Sequence, residues 1–94
     1  MDSKVINTIV EVLKPYEPKA IAVFGSYARG ENNSESDIDI AVKFKRGTTL
    51  FDICDMLATF RDDLKMNVDI ADLDGMKPYF LKEIEPDLKF IYHS

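Results

Sequence analysis

The stretch FGSYARGENNSESDIDIAV, residues 24–42, decides how the chain is read. It continues an apolar run (Ala20, Ile21, Ala22, Val23) that stops at Gly25 and Ser26. Val23 and Phe24 read as the end of a buried strand, and Gly25-Ser26 as a tight turn into a short helical stretch. Such a turn leaves backbone N–H groups and a hydroxyl facing outward at a helix start, which suits phosphate oxygens. Ten residues separate Ser26 from Asp37. From Asp37 to Val42 polar and apolar residues alternate, so Asp37 and Asp39 share one strand face while Ile38, Ile40 and Val42 enter the core. Strand rise puts the two aspartate Cα atoms roughly 6.6 Å apart. Aspartate is depleted in strands, so two on one face need a cause, and shared divalent cations are a sufficient one.

Residues 3–14 carry Val5, Ile6, Ile9, Val10 and Leu13 at helical spacing, with Ser3 as N-cap and Pro15 as the stop. A first strand is predicted over residues 19–24 and a polar loop over 31–36. A second strand follows over 37–44. Thr49 and Asp52 make a capping-box-like start for a helix reaching about residue 64. Its apolar stripe is Leu50, Ile53, Cys54, Leu57, Phe60 and Leu64. A third strand, 67–71, turns Val68 and Ile70 inward and Asp69 to the opposite face. Pro78 opens a short helix with Tyr79, Phe80, Leu81 and Ile84, Pro86 ends it, and 88–92 form an edge strand. His93 reads as a frayed tail residue. The alternation of four helices and four strands predicts an α/β or α+β fold, a small mixed β-sheet packed with helices. The whole chain, 1–94, reads as one domain.

Composition narrows the class. Twelve basic and seventeen acidic residues give a net charge of −5, which weighs against direct nucleic-acid binding. Cys54 is the only cysteine, which excludes an intrachain disulfide and reads as a buried core residue in a reducing cytoplasm. No apolar run approaches the ~20 residues needed to span a bilayer, and no leader pattern opens the chain. The expectation is a soluble, cytoplasmic protein with no membrane contact.

Gly-Ser or Asp-x-Asp alone is a weak signal, but joined at this spacing they resemble the signature of the polymerase-β-like nucleotidyltransferases. Gly-Ser-Tyr-Ala-Arg-Gly and Ser-Asp-Ile-Asp-Ile look like the minimal nucleotidyltransferase branch, the small partner of HEPN-domain proteins in toxin–antitoxin pairs. The resemblance covers nearly the whole chain. It implies the polymerase-β-like nucleotidyltransferase fold, with Gly25 and Ser26 holding the β- and γ-phosphates of a nucleoside triphosphate. It further implies that Asp37 and Asp39 bind two Mg²⁺ ions, and that Asp69 binds the catalytic one and activates the nucleophile. The phase of Asp69 on its strand independently suits a third carboxylate that accepts the acceptor hydroxyl's proton. Arg29, one helical turn past Ser26, either reaches triphosphate oxygens or is a surface arginine paired with Glu31 or Glu35. Lys43 shares the aspartate face by parity, either touching phosphate or simply solvated.

Transfer needs two substrates, and the residues after Asp69 read as only a short helix and a strand. The acceptor is therefore expected on a separate chain, in a hetero-oligomer. Tyr79, Phe80 and Tyr92 are contact candidates, with core packing the better reading of Phe80. The resemblance makes the partner a HEPN ribonuclease toxin, its tyrosine receiving AMP from ATP with release of pyrophosphate, and this chain its antitoxin. Two other readings stay open: a non-catalytic antitoxin that masks a helical partner, and a small-molecule (aminoglycoside-type) nucleotidyltransferase subunit.

Overall fold

A computed structural model describes residues 2–31 and 37–94. Helices and strands alternate as the periodicity demands: α1 (Ser3–Leu13), β1 (Ala20–Phe24), α2 (Gly25–Arg29), β2 (Ile38–Lys43), α3 (Leu50–Leu64), β3 (Val68–Asp72), α4 (Pro78–Ile84) and β4 (Lys89–His93). Single 3₁₀ turns extend α1 over Lys14–Tyr16 and α4 over Glu85–Asp87. The sheet order is β3-β2-β1-β4. β1 runs antiparallel to β2 and β4, while α3 carries the chain across so that β3 lies parallel to β2. The polar loop expected at 31–36 lies, beyond Glu31, outside the described residues.

Period two gives the sheet two different faces. On one, Ile21 and Val23 of β1, Ile38, Ile40 and Val42 of β2, and Val68 of β3 meet Ile9 and Leu13 of α1 and Met56 and Phe60 of α3 in the main core. On the other, Ala22, Phe24 and Ala41 lie beneath Ile84 of α4. Ala22 and Ala41 are cross-strand partners, and both are wholly buried. No helix is long and apolar enough to cross a membrane among the described residues.

Several expectations need correcting. Asp2, not Ser3, caps α1, its carboxylate accepting from the Lys4 N–H at 2.9 Å. The capping box of Thr49 and Asp52 is present, but the inner stripe of α3 centres on Met56 and Phe60. Leu50 is 74% exposed and Phe51 83%. Cys54, expected in the core, is exposed, because it sits about 200° round the helix from the buried Met56. Phe80 is also exposed rather than packed in the core. The short helix does end before Pro86, at Ile84, and Pro86 lies in the 3₁₀ turn that follows. His93 is not a frayed tail: it pairs with Ala20 in β4. A bulge at Ile91, where Ile21 faces Tyr92 but Ala22 faces Phe90, puts Phe90 and His93 on one side with ring centroids 5.0 Å apart.

Candidate active site

Three strand ends converge at one edge of the thinly covered face. Because β1 is antiparallel to β2, its C-terminus meets the N-terminus of β2, and the parallel β3 begins there too. The register sets Phe24 opposite Asp39, and Asp39 opposite Asp69. Asp37 immediately precedes β2 and is exposed. The phase read from the sequence therefore brings Asp39 and Asp69 side by side, with Asp37 at the rim.

Gly25 is locked into this arrangement by shape. Its φ is +72°, and a Cβ added there would lie 2.5 Å from Asp39 Oδ2. Only a residue without a side chain accepts both the left-handed backbone and so close a carboxylate. Tyr27 and Ala28 of α2 are buried in the main core and hold the turn down, leaving Gly25 and Ser26 partly exposed. Gly30, also left-handed, closes α2 by returning its N–H to the Ser26 and Tyr27 carbonyls.

The electrostatics are those of crowded anions. Burial pushes the Asp39 carboxyl above its ordinary value, the negative charges of Asp69 and Asp37 push it further, and contact with the Asp69 carboxyl favours a proton held between them. Among the described residues no lysine or arginine forms an ion pair with any of the three. Nor do any three His, Cys, Asp or Glu side chains of the described residues close into a metal cage. An open carboxylate pair is what magnesium uses, since it keeps waters and takes substrate phosphates rather than an all-protein shell. The donor set of hard oxygens around Asp39 and Asp69 fits that ion.

Arg29 stands apart from the acids. Its Nε donates to Glu31 at 3.1 Å and its Nη1 to Asp87 at 2.6 Å, tying α2 to the 3₁₀ turn after α4. Lys43 lies at the opposite end of β2, where with Lys19, Leu81, Glu85, Phe90 and His93 it lines a groove of about 590 Å³. A second cavity, about 340 Å³, adjoins the acids themselves. Asp37 and Asp69 line it together with Leu57, Arg61, Met66, Asn67 and Val68. The sequence reading did not single out Arg61, Met66 or Asn67. Leu57 and Arg61, four residues apart on α3, share a helix face, but only the tertiary fold shows that this face borders Asp69.

Known proteins resemble this chain over most of its length. Residues 7–94 match the family described as polymerase beta, nucleotidyltransferase. A Methanocaldococcus jannaschii protein, MJ0126, provisionally named a protein adenylyltransferase, is 37% identical over 82 residues, covering 86% of this chain and 84% of that one. The protein adenylyltransferase MntA of Thermococcus cleftensis is 27% identical over 81 residues, covering 86% of this chain and 82% of its own. Among solved structures, a toxin–antitoxin pair with AMP-PNP superposes with a TM-score of 0.83 at 24% identity, over 95% of this chain and 73% of that one. A tri-AMPylated Shewanella oneidensis HEPN toxin in complex with its MNT antitoxin gives 0.78 at 22%, over all of this chain and 74% of that one. At these identities the structures establish the shared fold, and the match over residues 7–94 establishes the lineage: the chain belongs to the polymerase-β nucleotidyltransferase family.

Proposed function

We propose that this chain is a Mg²⁺-dependent protein adenylyltransferase that moves AMP from ATP to a tyrosine hydroxyl of a HEPN-type toxin and so acts as its antitoxin. The observation that carries this reading is the facing of Asp39 and Asp69 across β2 and β3 with Gly25 tight against the first of them. The names of the relatives, protein adenylyltransferases, support the reaction class. The AMP-PNP of one structural neighbour and the AMPylated HEPN toxin of another support the nucleotide and the partner.

In this reading residues 1–94 work as one catalytic domain in the cytoplasm, with the acceptor brought by the partner chain. The Gly25-Ser26 turn holds the terminal phosphates through its backbone N–H groups and the serine hydroxyl. Arg29 joins them by exchanging Glu31 for a phosphate oxygen. Asp37, Asp39 and Asp69 are the carboxylates that would hold two Mg²⁺ ions, which would neutralise triphosphate charge and polarise the α-phosphorus. Asp69 takes the proton of the incoming hydroxyl as the oxygen–phosphorus bond forms and pyrophosphate leaves toward Gly25 and Ser26.

The test is to incubate the chain with the HEPN protein of its own genome, ATP and Mg²⁺, and weigh both proteins. A partner gaining adenylyl mass with wild type and not with Asp39→Asn supports the proposal. A partner of unchanged mass, whose toxicity is still relieved by Asp37→Asn combined with Asp39→Asn, would leave antitoxin action by masking alone.

A further inference from the structure

We infer that the 340 Å³ cavity between α3 and the start of β3 is the acceptor subsite, that it takes the ring of a tyrosine, and that Leu57, Met66 and Arg61 select it. The inference rests on the adenylyltransferase reading and adds where the second substrate sits and what recognises it.

Position is the first argument. Across the edge of the sheet the order is the Gly25-Ser26 turn on β1, Asp39 on β2, Asp69 on β3, then the cavity. Phosphoryl transfer sets the attacking and leaving oxygens roughly in line on opposite sides of the phosphorus. With the leaving pyrophosphate on the Gly25-Ser26 side, the attacking oxygen enters from the far side of the acids. That is the side the cavity occupies, and Asp69 is part of its wall.

Size and chemistry are the second argument. About 340 Å³ is near the lower end of small-molecule cavities, enough for a single ring and not for a whole nucleoside triphosphate. Leu57 and Met66 give the ring apolar contact, and the methionine thioether suits an aromatic edge. Asp37, Asp69, Asn67 and Arg61 line the same cavity and would meet the hydroxyl. Arg61 forms no ion pair among the described residues, so its guanidinium is available beside the oxygen that must lose a proton. A nearby cation favours phenolate over phenol, which gives a tyrosine an advantage over serine or threonine here. The tyrosine oxygen bonds to the α-phosphorus, the bond from that phosphorus to the bridging oxygen breaks, pyrophosphate departs, and the phenol proton passes to Asp69.

The competing occupant is the base of ATP, and kinetics separate the two. We would compare wild type with Leu57→Trp, which fills the cavity, and with Arg61→Gln and Arg61→Lys, which leave the packing alone. The assay titrates ATP and the HEPN partner separately, and equilibrium titration with AMP-PNP reads nucleotide binding without turnover. The acceptor subsite predicts that Leu57→Trp and Arg61→Gln raise the KM for the partner about tenfold, the effect of ~1.4 kcal/mol of lost contact. AMP-PNP affinity should stay within about twofold, and Arg61→Lys should recover part of the loss and transfer should begin at higher pH in Arg61→Gln. A raised KM for ATP with an unchanged partner KM assigns the cavity to the base and overturns the inference. Variants that match wild type in both also overturn it, while the adenylyltransferase reading survives. If wild type itself transfers nothing, that broader reading falls, and this one with it.

Discussion

The two faces of β2 do opposite things with neighbouring residues. Ile38, Ile40 and Val42 are wholly buried under α1 and α3, whereas Asp39, between them, is turned to the other side and crowded by Asp69 and Asp37. The first face gains from every contact. The second holds like charges together, a local arrangement that disfavours the fold and makes sense only where a cation or a substrate completes it. A strand can carry both because its side chains alternate, so the cost on one face is offset by burial on the other.

That contrast breaks most visibly at the acids. Asp69→Asn and Asp39→Asn should each lower AMP transfer by roughly 10³-fold or more while the far-ultraviolet circular dichroism stays that of wild type, since loss of a general base alone costs up to ~10⁴. On the packed face the mirror experiment is Phe60→Ala, which removes a wholly buried ring. It should cost about 3–5 kcal/mol in urea unfolding, and activity should fall only as the folded fraction falls. Gly25→Ala should affect both folding and nucleotide binding, because the φ of +72° and the 2.5 Å approach to Asp39 Oδ2 leave no room for a methyl group. Roughly 1–2 kcal/mol of backbone strain should appear as lowered stability, together with loss of nucleotide affinity in a titration with AMP-PNP.

A smaller effect sharpens the comparison by its sign. The Asp39 carboxyl is raised above 3.8 in the fold, so the native state binds that proton more tightly than the unfolded chain does. The stability this adds is present below about pH 3.8 and is lost as pH rises through the native value. Asp39→Asn should therefore melt higher than wild type at neutral pH without magnesium, and the gap should close toward pH 3. Like charges at facing sheet positions cost up to ~1 kcal/mol, so the gain is at most roughly 4–8 °C in a domain of this size. Added Mg²⁺ should raise the melting temperature of wild type and leave Asp39→Asn where it was. The smallest effect is expected at Cys54→Ser, since the thiol is exposed: a change within about 0.5 kcal/mol by the same unfolding measurement.

Much of this was legible in the chain itself. The period of two from Asp37 to Val42 and again from Val68 to Ile70 fixed which side chains leave the core, and capping chemistry marked the start of α3. The pairing of Asp39 with Asp69 was legible only in part: parity put both on one face, but their register depends on how far α3 carries the chain before β3 begins. The interior side of α3 was misjudged because Met56 was left out of its apolar stripe and Cys54 put in, although the first turn of the helix meets nothing described that would bury Leu50 or Phe51. His93 was misjudged because its proximity to the chain end suggested fraying, whereas its pairing with Ala20 is a contact across the sheet that leaves no trace in local propensity. The ion pair of Arg29 with Asp87 joins residues far apart in the chain, and only nearby candidates, Glu31 and Glu35, were visible as neighbours; Arg29 holds Glu31 as well. The cavity beside Asp69 has no sequence signal of its own, being made where a helix, a loop and two strand ends meet.

The most direct measurement is paramagnetic line broadening with Mn²⁺, which carboxylates and phosphates bind much as they bind Mg²⁺, together with AMP-PNP. The account predicts that the amide resonances of Gly25, Ser26, Asp39 and Asp69 disappear first, and that Asp39→Asn keeps them sharp. Broadening centred instead on Lys19, Lys43 and Phe90 at the other end of the sheet, or none anywhere, would contradict it.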